Sequence, residues 1–232
     1  MFWEEEKSKQ QYQVPDDVSD LVFNIDCREL PVDHIYDLGE ALVKHLPWFD
    51  QEESCAIHAI HLAGSQNGWE RPDPELGQKL ILSRRTKLIL RAPKERHDEI
   101  NQALNGVTLD IEDCSLTIGK SKVKALSSQG TIFSRHIVLE DGEAEDENKF
   151  LMRLAKILQD RDIRVKKALC GVINEIKTLE GPIQTRSIMF SGLGPDESVQ
   201  LQQIGIGAGR HMGCGIFIPH KGIDAVKKAD DD

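Results

Sequence analysis

Five glycines within eleven residues constrain this chain more than any other segment, and they lie at Gly205, Gly207, Gly209, Gly213 and Gly215. Because glycine has no Cβ, its backbone reaches positive φ and can approach a ligand closely. Arg210 and His211 add a fixed and a titratable cation to the run. We therefore expect its backbone amides to bind an anion such as a phosphate. The spacing lacks the Gly-x-x-x-x-Gly-Lys-Ser/Thr signature, which excludes a P-loop.

The charge of the chain is unevenly distributed along its 232 residues. A net charge of −10 argues against a nucleic-acid partner if it is spread over the surface. The acids, however, are concentrated in four runs that we interpret as tails or solvated loops: Glu4–Glu6, Asp16–Asp20, Glu140–Glu147 and Asp230–Asp232. Residues 79–139 carry eleven Lys and Arg against six acids. A basic surface built there is compatible with nucleic-acid binding.

The cysteines and the N-terminal sequence predict a cytoplasmic location. Five cysteines are scattered without a Cys-x-x-Cys pair, which favours reduced thiols over a disulfide framework or a zinc site. The N-terminal residues do not resemble a signal peptide, and no apolar stretch is long enough to span a bilayer. We therefore expect no membrane association, no metal site and no cofactor.

The order of predicted elements is repeated along the chain. Apolar periodicity predicts β-α-β-β-α-β over residues 18–126, which is the order of a ferredoxin-like unit. Residues 127–223 repeat that order, with the glycine run between the last helix and the last strand. The sequence therefore predicts an α+β protein of two tandem ferredoxin-like (RRM-like, βαββαβ) domains. A mobile segment at 1–17 and an acidic tail at 224–232 flank them.

The glycine run also carries a family resemblance. It fits Gly-Φ-Gly-x-x-x-x-x-Gly-x-Gly, where Φ is apolar, the glycine-rich loop of the RAMP superfamily of CRISPR proteins. The chain most resembles the pre-crRNA-processing endoribonucleases of the Myxococcus-type (MYXAN) subfamily. The matching blocks are Leu-Pro-Val-Asp-His-Ile-Tyr (30–36), Leu-Pro-Trp (46–48), Ile-His-Ala-Ile (57–60), Leu-Ser-Arg-Arg-Thr-Lys-Leu (82–88), Gly-Leu-Gly-Pro-Asp-Glu-Ser-Val-Gln-Leu-Gln-Gln (192–203) and Gly-Cys-Gly-Ile-Phe-Ile-Pro-His-Lys (213–221).

This resemblance implies a metal-independent endoribonuclease that cuts precursor CRISPR RNA within its repeats. A base removes the proton of a ribose 2′-hydroxyl, which attacks the adjacent phosphorus, and an acid protonates the departing 5′-oxygen. The products carry a 2′,3′-cyclic phosphate and a 5′-hydroxyl. The resemblance also implies that the enzyme stays bound to the mature crRNA and joins other CRISPR effector-complex proteins. A non-catalytic RNA-binding subunit on the same fold is the alternative. An unrelated nucleotide-binding module is a third reading, but it does not explain the repeated domains.

The same resemblance provides the catalytic candidates. A histidine on or beside the first helix is the usual catalytic position in related enzymes, which ranks His34 slightly ahead of His58. Histidine suits proton transfer near neutral pH. His58 alternates with apolar residues along a predicted strand, so it acts catalytically if it faces a cleft and serves the core if it faces inward. Tyr36 is the candidate to orient or protonate a reacting oxygen.

The RNA-binding candidates are basic or lie in the glycine run. The cluster Arg84, Arg85, Lys87 and Arg91 is expected to bind RNA phosphates or a guanine edge. Lysines alternating along one strand face form a second set, Lys120, Lys122 and Lys124, which phosphate contact and solubility explain equally well. The third set is the glycine run with Arg210 and His211, followed by Lys221.

Overall fold

The computed structural model describes residues 12–61 and 78–221. The first eleven residues of the predicted mobile segment lie outside this range, as does the predicted acidic tail. The first half forms two helices, α1 (Ile35–His45) and α2 (His97–Leu104). Its strands are β1 (Val18–Asp26), β2 (Glu29–Pro31), β3 (Ala56–His58), β4 (Lys79–Ile81), β5 (Lys87–Pro93), β6 (Thr108–Ile111) and β7 (Cys114–Lys124).

The first sheet has the strand order β3-β5-β1-β7-β6, and β2 pairs with β4 in a separate ribbon. Its four main strands β3-β5-β1-β7 give the arrangement of a ferredoxin-like unit, because the first and third strands of the repeat are central. Alternate residues of β1, such as Leu21 and Phe23, are fully buried with Leu38 and Leu42 of α1. Successive side chains of a strand point to opposite faces. The residues between them therefore lie on the sheet face opposite the helices, which we call the outer face.

The second half repeats this arrangement. Its helices are α3 (Glu147–Asp160) and α4 (Pro195–Ile204), and its strands are β8 (Thr131–Val138), β9 (Lys167–Ile176), β10 (Ile183–Ser191) and β11 (Ile218–Pro219). The strand order β11-β8-β10-β9 again has the first and third strands in the centre. A separate apolar core joins Phe150, Phe190 and Phe217. The predicted α+β class with two tandem ferredoxin-like units is confirmed.

The acidic run at 140–147 departs from the prediction of a solvated loop. Glu143 is buried, with 3% of its surface exposed, and its carboxylate accepts two hydrogen bonds from Arg153 at 2.7 and 2.8 Å. It also accepts the backbone N–H of Glu140 at 2.9 Å. This cluster fixes the turn before α3, and the helix begins at Glu147.

Candidate active site

His58 lies in a cross-strand row on the outer face of the first sheet. Strand pairing places His58 opposite Ile89, Ile89 opposite Val22, and Val22 opposite Lys122. Directly paired residues share a sheet face. The His58 side chain is 13% exposed, Val22 and Ile89 are half-buried, and Lys122 is exposed. The row therefore runs from a largely buried histidine with a small exposed fraction, over two aliphatic side chains, to a lysine.

Asp20 and Arg91 occupy the next row and hold one side of the histidine ring. His58 Nε2 lies 3.3 Å from Asp20 Oδ1 and 3.4 Å from Arg91 Nη2. The guanidinium also donates to both carboxylate oxygens, from Nε at 2.8 Å and from Nη2 at 3.3 Å. No hydrogen bond joins His58 Nδ1 to any residue in the described part of the chain. Nδ1 is therefore the ring nitrogen left for a substrate.

The charges in this cluster shift the pKa values of both titratable groups. Burial raises the pKa of Asp20, but the charge of Arg91 and hydrogen bonds from His58 and Arg91 outweigh it, so the pKa lies well below its ordinary range. Burial lowers the pKa of His58, and it outweighs the opposing hydrogen bond with Asp20. The positive charges of Arg91 and Lys124 lower it further. The cluster therefore holds an ionised Asp20 beside a mainly neutral His58 at neutral pH.

Arg91 is a structural residue, which corrects the prediction that it grips an RNA phosphate. Its side chain is fully buried, and Nη1 donates to the carbonyl oxygens of Gln202 at 2.8 Å and Phe217 at 2.9 Å. Together with its bonds to Asp20, these contacts use four of the five guanidinium N–H groups, and the fifth faces His58. Arg91 thus links the active-site sheet to the second half of the molecule.

His34, the first-ranked candidate, lies inside the protein. It is 1% exposed, its Nδ1 is 2.9 Å from the carbonyl oxygen of Pro31, and its Nε2 is 3.3 Å from the backbone nitrogen of Ile60. A ring that donates from Nδ1 and accepts at Nε2 satisfies both backbone groups. This geometry corrects the expectation of an accessible catalytic base. His34 instead connects the start of α1 to the segment that follows His58. Tyr36 is half-buried in the first turn of α1, close to that connection in sequence.

The glycine run supports the His58 strand from the other side. All five glycines have positive φ, between 62° and 79°. A Cβ on Gly213 would lie 3.2 Å from the carbonyl oxygen of Ile57, and one on Gly39 of α1 would lie 2.6 Å from that of His211. The run therefore packs directly against β3 and α1. Glycine is required because a side chain at these positions would separate the two halves.

Arg210 is buried within this contact, which corrects the prediction of a cation at the tip of the loop. It is 9% exposed and donates to the carbonyl oxygens of Cys55 at 3.2 Å and Gln203 at 2.9 Å. Burial lowers its pKa to about 10, so it still carries a charge at neutral pH. Within the run, only Gly207 and Ala208 are exposed. The part of the run whose backbone amides are open to an anion is thus limited to Gly207 and Ala208, and His211 is half-buried.

The remaining basic candidates are accessible but lie at different places. Lys122 and Lys124 extend from the last part of β7, and Lys124 pairs opposite Asp20. Lys120 lies at a bulge in β7, where Gly119 and Lys120 together oppose Asn24. The half-buried Lys87 donates to the side chain of Asn24 at 2.7 Å. Three further candidates are exposed away from the His58 row: Arg84 and Arg85 in the turn before β5, and Lys221 at the end of the described chain.

Asp20 is the site residue that sequence reasoning missed. The sequence places it in an acidic run expected to be solvated, yet it is 6% exposed. The available signal was its position at the beginning of an apolar strand, two residues before Val22 and on the same strand face. Among residues 12–61 and 78–221, no cluster of three or more His, Cys, Asp or Glu has the geometry to hold a metal ion. No helix in the same ranges is long and apolar enough to cross a membrane.

Comparison with known proteins assigns the chain to a family. The Myxococcus xanthus protein named CRISPR-associated endonuclease Cas6 is 26% identical over 200 residues, which cover 86% of this chain and 80% of that protein. The structure of a Cas6-related protein from Pyrococcus furiosus superimposes with a TM-score of 0.59 at 14% identity, covering 86% of this chain and 97% of its own. A RAMP protein described as binding different RNA substrates also gives 0.59, at 13% identity, with coverage of 88% and 100%. At these identities the two structures support the fold. The family model described as Cas6 Crispr matches residues 19–222, and the chain therefore belongs to the Cas6 family.

Proposed function

We propose that this chain is an endoribonuclease that cuts precursor CRISPR RNA within its repeats without a metal ion. Membership of the Cas6 family supports the substrate class. The observation that carries the catalytic part is His58, whose Nε2 is held by buried charges while Nδ1 has no hydrogen-bond partner among the described residues. A neutral histidine in that position suits proton abstraction near neutral pH.

The reaction follows from this histidine. The proton of a ribose 2′-hydroxyl moves to His58 Nδ1, O2′ forms a bond to the adjacent phosphorus, and the bond from phosphorus to O5′ breaks. The products are a 2′,3′-cyclic phosphate and a 5′-hydroxyl. Tyr36 is the proposed donor of the proton that the departing O5′ takes, because it lies in the first turn of α1, next to the point where His34 joins residue 60. Stabilisation of the charged phosphorane is assigned to Lys124, whose charge acts on the His58 ring.

The RNA backbone is proposed to follow the lysines of the outer face toward His58. Lys122 lies in the same cross-strand row as His58, and Lys124 lies in the adjacent row. Asp20, the acid that pairs directly with Lys124, does not cancel their charge, because it is buried and neutralised by Arg91. Lys87, Lys120, Arg84, Arg85, His211 and Lys221 are assigned to more distant nucleotides, together with the exposed backbone at Gly207. Phosphate contacts of this kind determine affinity more than sequence choice.

The wider role follows from the same proposal. The two halves, with boundaries at 18–126 and 127–223, act together because β3 lies between the first core and the glycine run. We assign the protein to the cytoplasm, where CRISPR transcripts are made. There it is proposed to remain on its crRNA product and to join other CRISPR effector-complex proteins.

The test is cleavage of the repeat RNA from the CRISPR array of the same genome, in EDTA, with and without a single 2′-deoxy nucleotide at the cut site. Cutting in EDTA that the deoxy substitution abolishes is the expected result. Cutting that requires added Mg²⁺ would overturn the proposed chemistry. Tight binding without cutting would instead support a non-catalytic RNA-binding subunit. The absence of both would exclude that repeat as the substrate.

A further inference from the structure

We infer that Asp20 is the positioning residue of His58: its carboxylate holds hydrogen on Nε2 and so makes Nδ1 the nitrogen that exchanges a proton with the RNA. This inference rests on the proposed function. It adds an acid that the family resemblance does not include, and it specifies the reacting atom and the tautomer.

The first step of the argument is the choice between two tautomers. If Nε2 carries the hydrogen, it donates to Asp20 Oδ1 at 3.3 Å. If Nε2 is unprotonated, it accepts from Arg91 Nη2 at 3.4 Å, and its lone pair then faces the carboxylate oxygen. Both arrangements fit the distances, so Asp20 and Arg91 compete for opposite tautomers of one ring.

The second step is chemical. Nδ1 can accept a proton from a 2′-hydroxyl only if its lone pair is free, which in a neutral ring requires the hydrogen to be on Nε2. The imidazolium formed by that transfer also carries hydrogen on Nε2. In the reverse direction, only the imidazolium can donate from Nδ1. Every reactive form of His58 therefore has an Nε2–H group, and the acceptor for it is Asp20.

The third step is that the carboxylate stays charged and fixed. Two guanidinium bonds from Arg91 hold both oxygens of Asp20, and Arg91 is itself fixed by carbonyl oxygens of Gln202 and Phe217. The hydrogen bond that Asp20 accepts from Nε2 thus favours the imidazolium that His58 becomes during the transfer, against the charge of Arg91. A carboxylate behind a catalytic histidine performs this service in serine proteases, where an Asp-to-Asn change costs about ten-thousandfold in kcat while the geometry is kept.

The experiment uses ¹⁵N NMR of the full chain without RNA, which reports which ring nitrogen of His58 carries hydrogen. The neutral wild-type ring is expected to be protonated on Nε2. Asp20→Asn is expected to transfer the hydrogen to Nδ1, because the amide of the new residue can donate to Nε2. A wild-type ring protonated on Nδ1 would overturn the inference, and this result does not depend on whether any variant folds.

Single-turnover cleavage then measures the consequence. Asp20→Asn is expected to lower the rate constant by on the order of a hundredfold to ten-thousandfold while the Kd for RNA changes little. Asp26→Asn removes the same charge from an exposed position of the same strand and serves as the control. A rate constant equal to that of the control would overturn the inference. If the wild-type protein cuts no RNA, the proposed function fails, and the NMR result still decides the role of Asp20 in holding the tautomer.

Discussion

Two histidines of the first half, His34 and His58, are 24 residues apart in sequence and differ in how their ring nitrogens are held. His34 is buried, and both of its ring nitrogens bind backbone groups, at Pro31 and Ile60. His58 has one nitrogen, Nε2, held by charged side chains, and its Nδ1 makes no hydrogen bond within the described residues. The comparison teaches that a histidine's role follows from which of its nitrogens remain free. Burial alone does not separate the two roles, because His58 is also largely buried.

The contrast between the two histidines is tested most directly by removing each imidazole ring in turn. His58→Ala is expected to lower the single-turnover cleavage rate by about a hundredfold to ten-thousandfold, the usual contribution of a general acid or base. The Kd for RNA is expected to change little, because the lysines of the outer face are unaffected. His34→Ala provides the matched control in the same assay. Full cleavage by His58→Ala would show that another residue is the catalytic base.

The support of the His58 strand is tested at two glycines. At Gly205 (φ 62°) an added Cβ would lie 1.7 Å from Arg210 Nη1 and 2.3 Å from the carbonyl oxygen of Gly215. Gly205→Ala is therefore expected to reduce the free energy of unfolding by about 2–6 kcal/mol, from backbone strain and overpacking together. The measurement is chemical denaturation.

Gly207→Ala is the matched control for that variant. Gly207 has a similar φ of 79°, but apart from its chain neighbours no atom of residues 12–61 or 78–221 lies within 4 Å of its added Cβ. Only the backbone strain remains, and the expected loss is about 1–2 kcal/mol. Equal losses at the two positions would contradict the view that the glycine run is packed against Arg210. A large loss of RNA affinity in Gly207→Ala alone would instead support the prediction that the backbone amides of the glycine run bind an RNA phosphate.

His34→Ala is expected to act on stability rather than on catalysis. Removal of the ring leaves the buried carbonyl of Pro31 and N–H of Ile60 without these partners, which costs about 2–4 kcal/mol. Cleavage measured at a temperature where the variant is folded should remain within a few-fold of wild type. A stable His34→Ala protein that binds RNA without cutting it would reverse the comparison.

The fold was predictable from sequence because its signals are local. Alternation in β1, the helical stripe of α1 and the position of the glycine run each depend on neighbouring residues, and their order repeats along the chain. The element bounds shifted where side chains from elsewhere intervene. Glu143, for example, binds Arg153 and fixes the turn before α3, so the helix begins later than its composition indicates.

The site was less predictable because its contacts are not local. Asp20 and Arg91 are 71 residues apart in sequence, and Arg91 meets Phe217 across 126 residues. A basic cluster in the sequence therefore combined the exposed Arg84 and Arg85 with the fully buried Arg91. The burial of His34 was unpredictable for the same reason: nothing local to His34 indicates that the backbone nitrogen of Ile60 lies 3.3 Å from its Nε2.

The lysines of the outer face test whether RNA binds on the same side of the sheet as the His58 ring. The double variant Lys122→Gln/Lys124→Gln is expected to weaken binding and to reduce the slope of log affinity against log salt by about 1 per lysine. Lys156→Gln removes an exposed charge from α3, in the second half of the molecule, and is the control. An unchanged salt dependence in the double variant would exclude this face as the RNA path. Filter binding at several salt concentrations provides the measurement.

The smallest expected effect is on the pH dependence of cleavage. Burial and the charges of Arg91 and Lys124 lower the pKa of His58 below its ordinary 6.5, against the opposing effect of Asp20. Because the neutral ring is the base, the rate constant should rise with pH and level off above this lowered pKa. Lys124→Gln removes one lowering charge, so the rising part of the profile should move to higher pH. The variant's plateau reports any separate loss of phosphorane stabilisation, whereas the midpoint reports the histidine alone. A midpoint that moves to lower pH, or that is the same as in Lys156→Gln, would show that the charge of Lys124 does not reach the group that limits the rate.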